Sequence, residues 1–240
     1  MGKFTRRIKI QICTGTAIVL CCCFGCNTPV SINNGLGAEA IKESAYENEI
    51  AFRQKVISSA GRWKGVVELT GHNDHPMIAQ ALMFCGIDYP APWCAACNAE
   101  ILNYAGVNAP HSAYVPDWFN SNVIWKSQWG EYPFPVLPGT SVGFYFPSLK
   151  RYAHIGIVVA EDRNNYYTYQ GNTSPFGQWK PETFELISNT DSLIVRDAGN
   201  GGGFYPKVVS KNSVSVMADY CLDSTQFNMR YKKYINIHGN

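Results

Sequence analysis

Pro90-Ala91-Pro92-Trp93-Cys94-Ala95-Ala96-Cys97 stops one segment of the chain and starts another. Prolines precede the run, no breaker interrupts it as far as Tyr104, and Gly106 follows. Proline before and glycine after is the punctuation of a helix, which predicts one over Trp93 to Tyr104. Cys94 then falls in the first turn, facing unpaired backbone N–H groups and the positive end of the helix dipole. Both favour thiolate, so a lowered pKa and a nucleophilic sulfur near neutral pH are expected.

On the N-terminal side, Ala38 to about Ala60 carries few breakers. Ile41, Ala45, Ile50, Phe52, Val56 and Ile57 form an imperfect helical stripe. Gly71-His72-Asn73-Asp74-His75-Pro76 reads as a turn, and Met77 to Phe84 as a short helix. On the other side, His111 to Gly139 holds three Trp, two Tyr and four Pro without periodicity, which predicts a long aromatic loop. Strand-like runs follow at Ser141–Phe146, His154–Ala160, Tyr166–Gln170 and Leu193–Val195. Helices first and strands afterwards predict an α+β fold, with the helices packed on one face of an antiparallel sheet.

The 240 residues are 46% hydrophobic and 16% charged, which excludes a disordered acidic or basic chain. The net charge of +2 leaves no footprint for nucleic acid. Lys3, Arg6, Arg7 and Lys9 all precede the first acid, Glu39, and without them 16 basic residues face 18 acidic ones, a net −2. A basic start and then a short apolar stretch reaching Gly25-Cys26 read as a secretory signal over 1–26. Gly25-Cys26 resembles a lipoprotein signal, with Cys26 as the lipidated residue and a lipid anchor in the membrane as its consequence. The alternatives are an uncleaved signal anchor and a plainly secreted protein. In each case the working domain belongs to the cell envelope or beyond. Residues 27–37 read as a tether, 38–215 as the domain, and 216–240 as a C-terminal extension. Cys85, Cys94, Cys97 and Cys221 remain for the domain. Cys85 and Cys221 could be buried or bridged to each other.

A thiolate nucleophile needs a base and a group to orient that base. His154 opens the run His154-Ile155-Gly156-Ile157-Val158-Val159, and Tyr169-Gln170-Gly171-Asn172-Thr173 ends the next strand, supplying Gln170 and Asn172 as orienting side chains. This order resembles the CHAP amidases of the papain-like NlpC/P60 superfamily, which are peptidoglycan hydrolases. Phe52–Val56 with Glu68–Gly71 and Asn73-Asp74 looks like their lead-in. Pro92–Ala96 looks like the nucleophile motif and His154–Val158 like the histidine strand. Gly171–Ser174 with Gly201–Tyr205 looks like the ending. Together these cover roughly residues 50–210 in the family's order.

The resemblance implies a papain-like domain with Cys94 as nucleophile, His154 as base and then acid, and Asn172 as the group orienting the imidazole. It implies cleavage of an amide in peptidoglycan through a thioester, with no cofactor and no metal; no four-ligand zinc spacing is present. The Cys94 backbone N–H is the expected oxyanion donor, and activity is expected to follow a Cys94–His154 ion pair. Gln170 stands where the family often has Glu, and Cys97 where it usually has an aromatic ring.

Trp93-Cys94-Ala95-Ala96-Cys97 is also how a thiol oxidoreductase reads, although that fold places the motif after a strand. A degenerate CHAP-like domain that binds wall without cutting it is the third reading. Cys97 could instead simply fill core. Trp93, Trp118, Trp125 and Trp129 are candidates to line a groove for glycan or stem peptide, or to form a satellite core. His72 and His75 flank Asp74 and read as solvated turn residues, with a weak metal site as the alternative.

Overall fold

The computed structural model describes residues 34–189 and 202–239. The expected signal with Cys26, the tether up to residue 33, and the strand expected at Leu193–Val195 lie outside the described residues. Four α-helices are described: α1 (Asn34–Ala60), α2 (Pro76–Phe84), α3 (Cys94–Tyr104) and α4 (Ser224–His238). Six strands form one sheet: β1 (Val123–Lys126), β2 (Ser141–Phe146), β3 (Arg151–Glu161), β4 (Asn165–Thr173), β5 (Gly203–Ser210) and β6 (Val216–Ala218). Their order is β1-β6-β2-β3-β4-β5 and every pairing is antiparallel. The molecule is α+β, as the order of helical and strand-like runs predicts.

Helix α3 ends where the sequence punctuates it. Gly106 takes φ +87, a conformation costly for side chains with a Cβ. Gly106 N–H then donates to Asn103 O (2.8 Å) and Val107 N–H to Leu102 O (2.9 Å), closing the last turn. Helix α1 starts at Asn34, so residues 34–37 of the expected tether are already helical.

Period two distributes the sheet's side chains to two cores. Ile155, Ile157, Val216 and Ala218 join Val56, Ile78, Leu82, Ile101 and Leu102 beneath α1–α3. Val142, Val158 and Met217 instead join Ile124, Tyr231 and Tyr234, so α4 closes the other face. The expectation of helices on one face is therefore corrected. The boundary at 215/216 is corrected too, because β6 pairs with both β1 and β2 inside the sheet. Helix α4 carries a capping box: Gln226 N–H donates to Asp223 Oδ1 (2.8 Å) and Asp223 N–H to Gln226 Oε1 (3.3 Å). Among the described residues no helix is long and apolar enough to cross a membrane.

Candidate functional site

Trp93, the residue before α3, aims Cys94. Its indole N–H donates to Glu68 Oε1 (3.1 Å), and its ring stacks on Trp63 with centroids 5.7 Å apart. Glu68 is itself buried, accepts the Asn73 N–H (3.0 Å) and donates its own N–H to Gly202 O (2.9 Å). The start of α3 is thereby tied to the turn at 71–76 and to the entry of β5. Cys94, the first helical residue, is only 5% exposed.

That burial overturns the expected thiolate. Burial pushes the Cys94 thiol up to about 11, although the backbone N–H groups of Ala95, Ile155 and Cys94 and the Arg151 guanidinium all work in the other direction. Removal from water costs the anion more than one helix start returns. The resting form is the neutral thiol.

His154 lies on β3 beside Ile155. Its Nε2 is 2.9 Å from Gln170 Oε1, and its ring lies 5.7 Å from the ring of Phe144. Gln170 Nε2–H donates to Thr168 Oγ1 (2.8 Å), and Thr168 Oγ1–H donates to the Lys207 carbonyl (3.0 Å). Burial holds the imidazole below its ordinary pKa; the Gln170 hydrogen bond opposes this and the Lys207 charge adds to it. Burial also brings Lys207 down to about 8, where its amine donates to the carbonyls of Ser174 (2.9 Å) and Phe176. A neutral thiol and a neutral imidazole replace the expected ion pair.

No hydrogen bond joins Cys94 to His154. The recorded β3–β4 pairing stops at Ile157↔Tyr169, and the sulfur sits toward the Ile155 N–H, past the end of that ladder. His154 shares the strand alternation of Val158, whereas Ile155 and Ile157 lie on the α3 face. Nucleophile and base thus belong to opposite faces of the sheet.

The imidazole's partner is Gln170, not Asn172. Asn172 sits in a bulge with φ +54 and turns its side chain toward Gly202 and Glu68; a Cβ on Gly202 would lie 3.0 Å from Asn172 Oδ1. The extra bulge residue shifts Asn172 out of the alternation that carries Thr168 and Gln170.

The tryptophans do not form a groove. Trp93 and Trp118 have no exposed surface, and Trp125 is 9% exposed. Trp118 donates to Ser112 O (3.0 Å) and meets Tyr220 edge-on; Trp125 donates to Gly130 O (2.7 Å); Trp129 packs edge-on against Tyr234 of α4. Trp93, Trp118 and Trp125 are core, Trp129 is part-exposed and packs against it, and Val123–Lys126 within the expected loop is strand β1. Cavities of about 770, 700 and 470 Å³ are lined by none of Cys94, His154, Gln170 or the other proposed catalytic side chain, Asn172.

Cys97 is fully buried and Cys94 and Cys221 nearly so, Cys85 is half-buried, and none of the four is in a disulfide, so Cys85 and Cys221 are not bridged. Cys97 packs under β4 at Gly171, where a Cβ would stand 2.7 Å from Trp93 Cζ3 and 3.0 Å from Cys97 Cβ. Gly171→Val is expected to cost about 1–3 kcal/mol by overpacking, checked by urea unfolding. His75 caps α2 by accepting the Met77 N–H at Nδ1 (3.1 Å), and Asp74 accepts the Thr70 N–H (2.9 Å).

Sequence reasoning missed Thr168 and Lys207 and quoted Glu68 only as part of a motif. The signal for Thr168 was present: it precedes Gln170 by two residues, the spacing that puts both on one face of a strand. No family model, no curated protein and no solved structure matches the chain.

Proposed function

We propose that this chain is a cysteine-type hydrolase of the cell envelope that cleaves an amide bond in peptidoglycan, using a papain-like domain. The observation that carries the reading is a thiol at the start of α3 next to a strand whose histidine is held by an amide on the neighbouring strand. The resemblance of five ordered motifs to CHAP amidases supports the substrate. The lipoprotein-like start supports anchoring through Cys26.

This mechanism requires that seating the substrate bring Cys94 and His154, which share no hydrogen bond in the free chain, within reach of each other. His154 then takes the Cys94 proton as the sulfur attacks the amide carbonyl. The tetrahedral oxygen is received by the Cys94 N–H, which has no acceptor within the helix. His154 returns the proton to the departing amine and leaves a thioester. It then takes a proton from water, whose oxygen attacks the thioester. The C–S bond breaks, the carboxylic acid is freed, and His154 returns the proton to the Cys94 sulfur. The bond is either N-acetylmuramoyl–L-Ala or a peptide bond of the stem or bridge. Digesting purified peptidoglycan with the full-length chain and weighing the soluble fragments names it; release of nothing sinks the hydrolase reading.

A neutral resting pair predicts a particular pH profile. Activity requires unprotonated His154, whose pKa lies below its ordinary value, so kcat/KM falls as pH drops through that value. Above it, activity holds a plateau toward the thiol's value of about 11. A narrow bell centred near neutrality, measured as fragment release against pH, would instead mark an ion pair.

The thiol oxidoreductase reading lacks its surroundings. A turn and α2 precede Cys94 in place of a strand, and every recorded strand pairing is antiparallel.

A further inference from the structure

We infer that Thr168 is a positioning residue that sets the tautomer of His154, acting through the Gln170 amide. Its catalytic meaning rests on the proposed thiol mechanism; the tautomer itself does not.

The assignment follows from counting protons along three hydrogen bonds. The Lys207 carbonyl can only accept, so Thr168 Oγ1, 3.0 Å away, spends its one proton there. Its free lone pair faces Gln170 at 2.8 Å, and only the amide NH₂ can donate to it. The amide is then held with Oε1 toward His154, whose Nε2 is 2.9 Å away. An amide oxygen cannot donate, so Nε2 carries the hydrogen. In a neutral imidazole that leaves the lone pair on Nδ1, the nitrogen free to receive a proton.

The relay is anchored at each step. Lys207 is opposite Thr168 in the β4–β5 register, so sheet pairing holds the terminal carbonyl in place. Thr168 is fully buried and Gln170 is 3% exposed, so water does not compete for either group. Gly156 lets Gln170 lie across β3: a Cβ there would stand 2.7 Å from Gln170 Cγ. Flipping the amide would set its oxygen against the Thr168 oxygen and its NH₂ against an imidazole N–H. The ring could answer by changing tautomer, but Thr168 Oγ1, its proton already given to the Lys207 carbonyl, could not, and that buried hydrogen bond would be lost.

The test is long-range ¹H–¹⁵N correlation of the imidazole nitrogens in the full-length chain, above the pH at which His154 titrates. His154 is assigned by the signals missing from His154→Gln. The wild type is expected to show Nε2 protonated and Nδ1 bare. Thr168→Val keeps the shape and removes the relay, and is expected to move both shifts toward an averaged tautomer mixture. Thr168→Ser is expected to restore them. An Nδ1-protonated or averaged ring in the wild type overturns the inference without any variant having to fold. Unchanged shifts in a folded Thr168→Val overturn it too.

Fragment release from peptidoglycan is read in parallel. A locked wrong tautomer in a triad costs about 10⁴-fold in kcat. The mixed population in Thr168→Val is expected to lose on the order of tenfold in kcat with KM unchanged, and Thr168→Ser to recover it. If the ring behaves as expected and no variant releases fragments, the tautomer stands and the hydrolase reading falls.

Discussion

Cys94→Ala is expected to abolish release of soluble fragments from purified peptidoglycan, while Cys97→Ala retains it. Removing the nucleophile of a coupled catalytic set costs on the order of 10⁴-fold or more in kcat. The two cysteines lie three residues apart on one helix, yet their surroundings differ. Cys94 is in the first turn, against the Ile155 N–H and within the influence of Arg151. Cys97 packs against Gly171, and burial, Glu100 and Cys94 hold its thiol well above the ordinary value. Mass spectrometry of the digests separates the roles. Loss of release in both variants would point to the pair acting together, which insulin reduction would test directly. Binding of inactive wild-type protein to the same wall material would mark a degenerate binder.

The second large effect is on stability. Arg53 of α1 donates to Glu49 Oε1 (2.7 Å), to Pro138 O (2.9 Å) and to Asp219 Oδ2 (2.7 Å). Arg230 of α4 reaches both Glu49 oxygens, at 2.6 and 2.7 Å, and Tyr231 donates to Asp219 (3.0 Å). Glu49, Arg53 and Asp219 are all buried. Asp219→Ala is expected to cost about 3–5 kcal/mol in urea or thermal unfolding, because Arg53 would keep a buried charge without that carboxylate. A cost below 1 kcal/mol would mean that solvent reaches Arg53.

The same network has a pH signature. Burial disfavours the Glu49 charge, but the hydrogen bonds and charges of Arg230 and Arg53 outweigh it and hold the carboxyl below its ordinary value. Its contribution is therefore present above the carboxylate's unfolded pKa and is lost as pH falls through the lower folded value. Acid unfolding should move to higher pH in Arg230→Met.

The helices α2 and α3 and the strands β2, β3 and β4 were legible because local signals agree there. Proline and glycine bracket α3, and apolar or aromatic runs between turn residues mark the strands. The missed elements had weak or misread signals. β1 lay among tryptophans without alternation, and β6 has three residues, too few to show a period. For α4 the signal lies in Asp223-Ser224-Thr225-Gln226, the residues of its capping box.

The amino-acid sequence by itself determined the α+β class, the helix with Cys94 at its start, and His154 and Gln170 on successive strands. These follow from turn residues and periodicity, which act over a few neighbours. Tertiary structure alone decided three matters. It buried Cys94, reversing the direction in which the helix start alone would move its pKa. It chose Gln170 over Asn172, since one bulge residue changes which side chains share a face. It connected Thr168 to a carbonyl on β5, 39 residues away along the chain. Desolvation, strand register and long-range hydrogen bonding all depend on which distant segments come to lie together, and no local pattern records that.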